Sequence, residues 1–213
     1  MSTRLAIIDS GGANIASLQL AVERLGVPAD LTTDPATLHA ASHVILPGVG
    51  AAADCMARLR QAGLVDTIRE LRQPLLGICV GMQLLFESSE EGDVDCIGVL
   101  PGRVRRLSGR GGPVPHMGWN QLEFRDAAPL LQNIAFGDYV YFVHSYAAPV
   151  SKATIATTVY GETFSAVVHQ GNVYGAQFHP ERSARVGAQL LRNFLQLAAT
   201  NLRRPDQPLT TSH

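Results

Sequence analysis

The stretch Pro74-Leu75-Leu76-Gly77-Ile78-Cys79-Val80-Gly81-Met82-Gln83-Leu84-Leu85-Phe86 runs from a short apolar strand pattern into a helical one, with a cysteine at the turn. Pro74 to Ile78 reads as a buried strand and Met82 to Phe86 as the start of a helix. A side chain placed where strand doubles back into helix needs small neighbours two residues before and after it. Gly77 and Gly81 meet that steric demand around Cys79. The turn also sets the sulfur near a helix N-terminus, where free N–H groups and the helix dipole favour thiolate. The N–H of Val80 would face a developing oxyanion. A buried cysteine in a glycine-flanked βα turn would look the same on this stretch alone.

Outward from this turn, strands and helices alternate. Leu5-Ala6-Ile7-Ile8 is an apolar strand ending at Asp9. Ile15, Leu18, Val22 and Leu25 then follow helical spacing, with Gly26 at the C-cap position. His43-Val44-Ile45-Leu46 is a second buried strand, stopped by Pro47-Gly48, and Leu59, Leu64, Ile68 and Leu71 predict helix before Pro74. That alternation implies an α/β fold with a mostly parallel, flavodoxin-like sheet covered by helices on both faces. From Asp95 onward, short β-rich runs span 97–107, 116–124, 139–146, 153–160, 165–170 and 172–178; they are expected to join the same sheet as mixed strands. A last helix is predicted over 183–199, giving one domain over 1–200 and a flexible tail over 201–213.

The 213 residues are 46% hydrophobic and 16% charged, a globular composition, and the net charge of -1 gives no reason to expect nucleic acid. The basic run Arg103, Arg105 and Arg106 is read as a solvated strand face. No apolar stretch reaches the length of a membrane span, and the N-terminus lacks a signal-peptide pattern, so a cytoplasmic protein is expected. Cys55, Cys79 and Cys96 are odd in number, with no metal-type spacing, which argues against a disulfide framework or zinc site. Cys55 and Cys96 are expected to be packing residues. No cofactor is implied.

A second group of reactive side chains lies in Gln177-Phe178-His179-Pro180-Glu181. Residues i and i+2 of an extended segment project to one side, so Glu181 can orient His179 as the base for a thiol. Pro180 favours the extended geometry. In Leu46-Pro47-Gly48-Val49-Gly50-Ala51, glycines allow close approach to a ligand, and the Val49–Gly50 segment could give a second oxyanion donor. A plain βα turn fits that run as well. His144 competes for the role of base, as does His116, which precedes Met117-Gly118-Trp119-Asn120, but neither has a carboxylate at i+2. An exposed Trp119 would suit an interface. His39, His43, His169 and His213 look incidental.

With these blocks the chain resembles the class I (triad) glutamine amidotransferases, and within them the glutaminase subunits of imidazole glycerol phosphate synthases of histidine biosynthesis. The blocks are Pro47-Gly48-Val49-Gly50, Gly77-Ile78-Cys79-Val80-Gly81-Met82-Gln83, His116-Met117-Gly118-Trp119-Asn120, Tyr141-Phe142-Val143-His144-Ser145-Tyr146 and Gln177-Phe178-His179-Pro180-Glu181. The resemblance implies L-glutamine as substrate and a Cys79–His179–Glu181 triad. Val80 with Val49 or Gly50 would bind the oxyanion, and Gly48, Gln83, His144, Ser145 and Tyr146 the substrate. It also implies delivery of ammonia to a (β/α)8-barrel cyclase subunit, as a heterodimer, with an oxyanion segment that rearranges on partner binding. Asn14, Trp119 and Arg182 would lie at the interface. Two departures stand near that interface: Asp9-Ser10-Gly11-Gly12-Ala13-Asn14 replaces an Asp-Tyr-Gly-x-Gly-Asn opening, and Arg182 replaces a common Lys. A pyridoxal phosphate- or anthranilate-type synthase subunit, or a stand-alone cysteine hydrolase, would share the triad.

Overall fold

A computed structural model describes residues 3–11, 15–126 and 128–198. The first half alternates as β1 (Leu5–Ile8), α1 (Ile15–Glu23), β2 (Ala29–Thr32), α2 (Pro35–Ala40), β3 (His43–Gly48), α3 (Ala52–Gln61), α4 (Leu64–Glu70), β4 (Leu75–Cys79) and α5 (Val80–Leu84). Every residue of β1, β3 and β4 is buried, as strands covered on both faces must be. The helical run expected before Pro74 is divided in two at Gly63, whose φ of +67° lies in the left-handed region.

The second half holds β5 (Ser88–Ser89), β6 (Val94–Asp95), β7 (Arg103–Arg106), β8 (His116–Gln121), β9 (Tyr139–His144), β10 (Tyr146–Ala147), β11 (Thr154–Val159), β12 (Thr163–Gln170), β13 (Val173–Ala176) and α6 (Ala184–Gln196). Among the described residues the main sheet has seven strands in the order β11-β12-β13-β4-β3-β1-β2. β13, β4, β3, β1 and β2 run parallel, and β11 and β12 add antiparallel pairings at one side.

Not all the later strands join that sheet, which corrects the expectation from sequence. β8 and β9 pair only with each other as an antiparallel ribbon, and β10-β7-β5-β6 form a separate small sheet. The reason lies in their side chains. The main sheet's interior requires apolar residues on both faces, whereas β7 is three-quarters arginine and buries only Val104. β8 and β9 alternate instead: His116, Val140, Phe142 and His144 face inward, while Met117, Trp119 and Tyr139 are exposed. The arginine run is thus a solvated strand face, as expected.

One continuous core joins the main sheet to its helices and to the ribbon, with Phe86, Phe142, Phe178 and Phe194 among its largest fully buried side chains. Each such ring contributes on the order of 2–3 kcal/mol by leaving water. His43, expected to be incidental, is buried and bonded to the Leu197 carbonyl at 3.0 Å, pinning the chain after α6. The expected tail over 201–213 lies outside the described residues.

Candidate active site

Three parallel strands, β3, β4 and β13, end side by side, and the side chains with chemical potential stand just past their C-terminal ends. Cys79 closes β4 opposite Gly48 of β3. Its backbone has φ 54° and ψ -115°, a strained conformation for a residue with a side chain, of the order of 1–3 kcal/mol. Packing around the turn explains the flanking glycines. A Cβ on Gly81 would run into the Leu46 carbonyl oxygen, and one on Gly77 would stand 2.7 Å from Met82 Cα and from Leu85 Cδ1. A Cβ on Gly48 would meet the backbone of Val80 and Gly81. The elbow and the Pro47–Gly50 turn are therefore locked together by backbone contact.

His179 follows β13 and begins a 3-10 turn over Pro180–Arg182. Its N–H donates to Tyr141 O at 3.0 Å, and Ser183 Oγ donates to His179 O at 2.7 Å. His179 Nδ1 lies 2.8 Å from Glu181 Oε1, both side chains being almost fully buried. Burial by itself would lower the basicity of His179. Hydrogen bonds to Cys79 and Glu181, with the negative charge those groups carry when ionised, outweigh it and push the pKa up to about 10. The ring is therefore built to take and hold a proton beside the sulfur. Gln177 Nε2 and Val143 O each lie 3.9 Å from Cys79 Sγ.

In front of the sulfur opens a cleft of about 280 Å³. Of the residues expected to act on substrate, Val49, Gly50, Val80, Gln83, His144, Ser145 and Tyr146 line it with Cys79. Gly48, His179 and Glu181 line a narrow crevice behind, together with Ser10 and Pro47. One wall of the cleft holds Glu91, which the motifs did not single out. Burial pushes its carboxyl pKa up, and its Oε2 accepts the Ala52 N–H at 2.8 Å. Its signal in the sequence is weak, because it sits in an acidic loop beside Glu90 and Asp93 and is marked out only by the fold.

Trp119 and Arg182 stand outside the cleft. Trp119 is 52% exposed and meets Tyr141 edge-on, while the Arg182 guanidinium lies 4.7 Å from the Tyr141 ring centre. Asn14 lies outside the described residues. Ser10 is buried and donates to the Pro47 carbonyl at 2.9 Å. Cys55 and Cys96 are buried, and desolvation raises the pKa of both thiols, Cys96 to about 11, as suits packing residues.

A thiol at a strained strand–helix turn, beside an imidazole held by a buried carboxylate, at the C-terminal edge of a parallel sheet, has the makings of an acyl-transfer site. The profile of the class-I glutamine amidotransferases matches residues 6–197, and this chain belongs to that family. The imidazole glycerol phosphate synthase subunit HisH of Xanthomonas axonopodis pv. citri is 57% identical to it, over 92% of this chain and 98% of that protein. The HisH subunit of Xylella fastidiosa is 54% identical, over 92% of this chain and 99% of that one. Among solved structures, a glutamine amidotransferase shares the fold with a TM-score of 0.72 at 22% identity, covering 92% of this chain and 99% of that one. The PurLQS structure of Thermotoga maritima gives 0.68 at 19%, covering 92% and 98% respectively.

Proposed function

We propose that this chain is the glutamine-hydrolysing subunit of an imidazole glycerol phosphate synthase. The observation that carries the chemistry is the His179–Glu181 pair set against Cys79 at the elbow; the likeness to the HisH subunits over nearly their full length carries the biological role. Cys79 Sγ, its proton held on His179, attacks the side-chain amide carbon of L-glutamine. The N–H of Val80, with one from the Val49–Gly50 segment, receives the oxyanion. Collapse of the tetrahedral species returns the proton from His179 to the leaving nitrogen, releasing ammonia and a thioester on Cys79. Water, with His179 again as base, then frees glutamate and the thiol.

The cleft supports binding of the amino-acid end as well. Gln83, Ser145 and Tyr146 offer polar groups, and Glu91 supplies a negative charge for the α-ammonium. Gly48 shapes the rear of the site. Ammonia passes to a (β/α)8-barrel cyclase subunit, which docks on the outer face of the ribbon where Met117, Trp119, Tyr139 and Arg182 are exposed. The working domain spans 1–200. No described helix is long and apolar enough to cross a membrane, and three free buried thiols suit a reducing compartment, so we place the reaction in the cytoplasm.

The test is glutamate release from glutamine by this chain alone and with candidate partners. Activation by the barrel cyclase, and not by pyridoxal phosphate- or anthranilate-type synthases, is the expected result. Activation only by one of the others, or efficient peptide cleavage by the isolated chain, would overturn the assignment.

A further inference from the structure

Gln83 is 1% exposed, and its Nε2 donates to the Tyr146 carbonyl at 2.7 Å and to Gln177 Oε1 at 3.0 Å. Both N–H bonds are thereby engaged. Its Oε1 is buried and without a partner among the described residues, on a side chain that lines the cleft. Where that oxygen points depends on how firmly the Tyr146 carbonyl is held.

That carbonyl is held a second time. His144 Nδ1 lies 2.9 Å from it, and a carbonyl only accepts, so the proton of His144 sits on Nδ1. The neutral ring then offers Nε2 as an acceptor, and His116 Nδ1, 3.1 Å away, must donate to it. His116 Nε2 becomes an acceptor in turn, facing Asn120 Nδ2 at 3.4 Å. One carbonyl thus assigns every proton from Asn120 through His116 and His144. A second proton on His144, or one on His116 Nε2, would oppose an N–H to an N–H or lose the Asn120 bond. Burial agrees, pushing His116 down to about 4 and His144 to about 3. His116 lies outside the cleft, stacked on Tyr160 at 4.1 Å and Phe142 at 5.0 Å.

We propose that His116 is a positioning residue for glutamine binding. By donating to His144 Nε2 it stabilises the tautomer whose Nδ1–H holds the Tyr146 carbonyl, and with it the Gln83 amide, in the orientation that presents Oε1 to the substrate. This rests on the glutamine-hydrolysis reading above.

The experiment is steady-state glutamine hydrolysis by the cyclase-bound protein. His116→Phe keeps a ring in the stack but cannot donate, and is expected to raise KM about tenfold with kcat within about twofold. His116→Asn keeps an N–H close to the position of Nδ1 while losing the stack. It is expected to lower Tm and yet hold KM within about threefold of wild type. An unchanged KM in His116→Phe, or a KM in His116→Asn that worsens in step with its Tm, overturns the proposal. Should His116→Phe fail to fold, equal KM values for His116→Ala and His116→Asn overturn it instead. Absence of hydrolysis by the wild-type complex would sink the functional reading; normal wild-type hydrolysis with unmoved variants sinks this inference alone.

Discussion

His179 sits between a sulfur and a carboxylate, and its chemistry follows from which neighbour is removed. Glu181 accepts from Nδ1, which leaves Nε2 for the proton exchange with Cys79 in the proposed mechanism. Glu181→Gln would break that preference for tautomer and charge. It is expected to lower kcat by about 10²–10⁴ with KM little changed, since the loss falls on the transition state. Initial-rate measurements on the cyclase-bound protein check this, and a kcat within about threefold of wild type would contradict the assigned role. The two inward histidines of the ribbon behave oppositely to His179. Their hydrogen bonds and surroundings favour the neutral ring.

At the scale of elements, the β4–α5 elbow was legible because steric crowding leaves a mark in sequence. Glycines two residues either side of Cys79 are required by the carbonyl of Leu46 and by the helix that follows. Gly81→Ala is accordingly expected to destabilise by more than about 2 kcal/mol, read as a lowered urea midpoint; a midpoint unchanged from wild type would mean the turn is not packed as described. β1, β3 and β4 were legible for a similar reason, since burial on two faces demands unbroken apolar runs. β2 was not. It is an edge strand whose Asp30 and Leu31 are exposed, so its four residues carry neither alternation nor a continuous run. The ribbon was found as strands but given to the wrong sheet, because pairing partners are set by long-range packing that local periodicity does not encode. Glu91 was missed for the same reason: only the fold brings its loop to the wall of the cleft.

For the molecule as a whole, the buried histidines make stability depend on pH in both directions. His116 and His144 have folded pKa values of about 4 and about 3, below the ordinary 6.5. The unfolded chain therefore binds more protons in acid, and their contribution, complete above about 6.5, is lost as pH falls through that interval. His179 is raised from 6.5 to about 10, so its contribution is complete below 6.5 and is lost as pH rises towards 10. Urea midpoints measured across pH should peak near neutrality, and His116→Phe should flatten the acid limb. An acid limb as steep as that of wild type would contradict the buried neutral pair. The outer face of the ribbon is the other molecular-scale feature. Trp119→Ala is expected to weaken cyclase binding about tenfold or more without changing the urea midpoint, as titration of one subunit with the other would register; unchanged affinity would place the interface elsewhere.

In the proposed reaction Cys79 becomes acylated by glutamine. Rapid quenching of the cyclase-bound protein during turnover, followed by mass spectrometry of the digested chain, measures this directly. A glutamyl adduct is expected on the peptide carrying Cys79, absent from Cys79→Ala, whose glutamate release falls to background. Turnover that survives Cys79→Ala, or an adduct found on Cys55 or Cys96 instead, would contradict it.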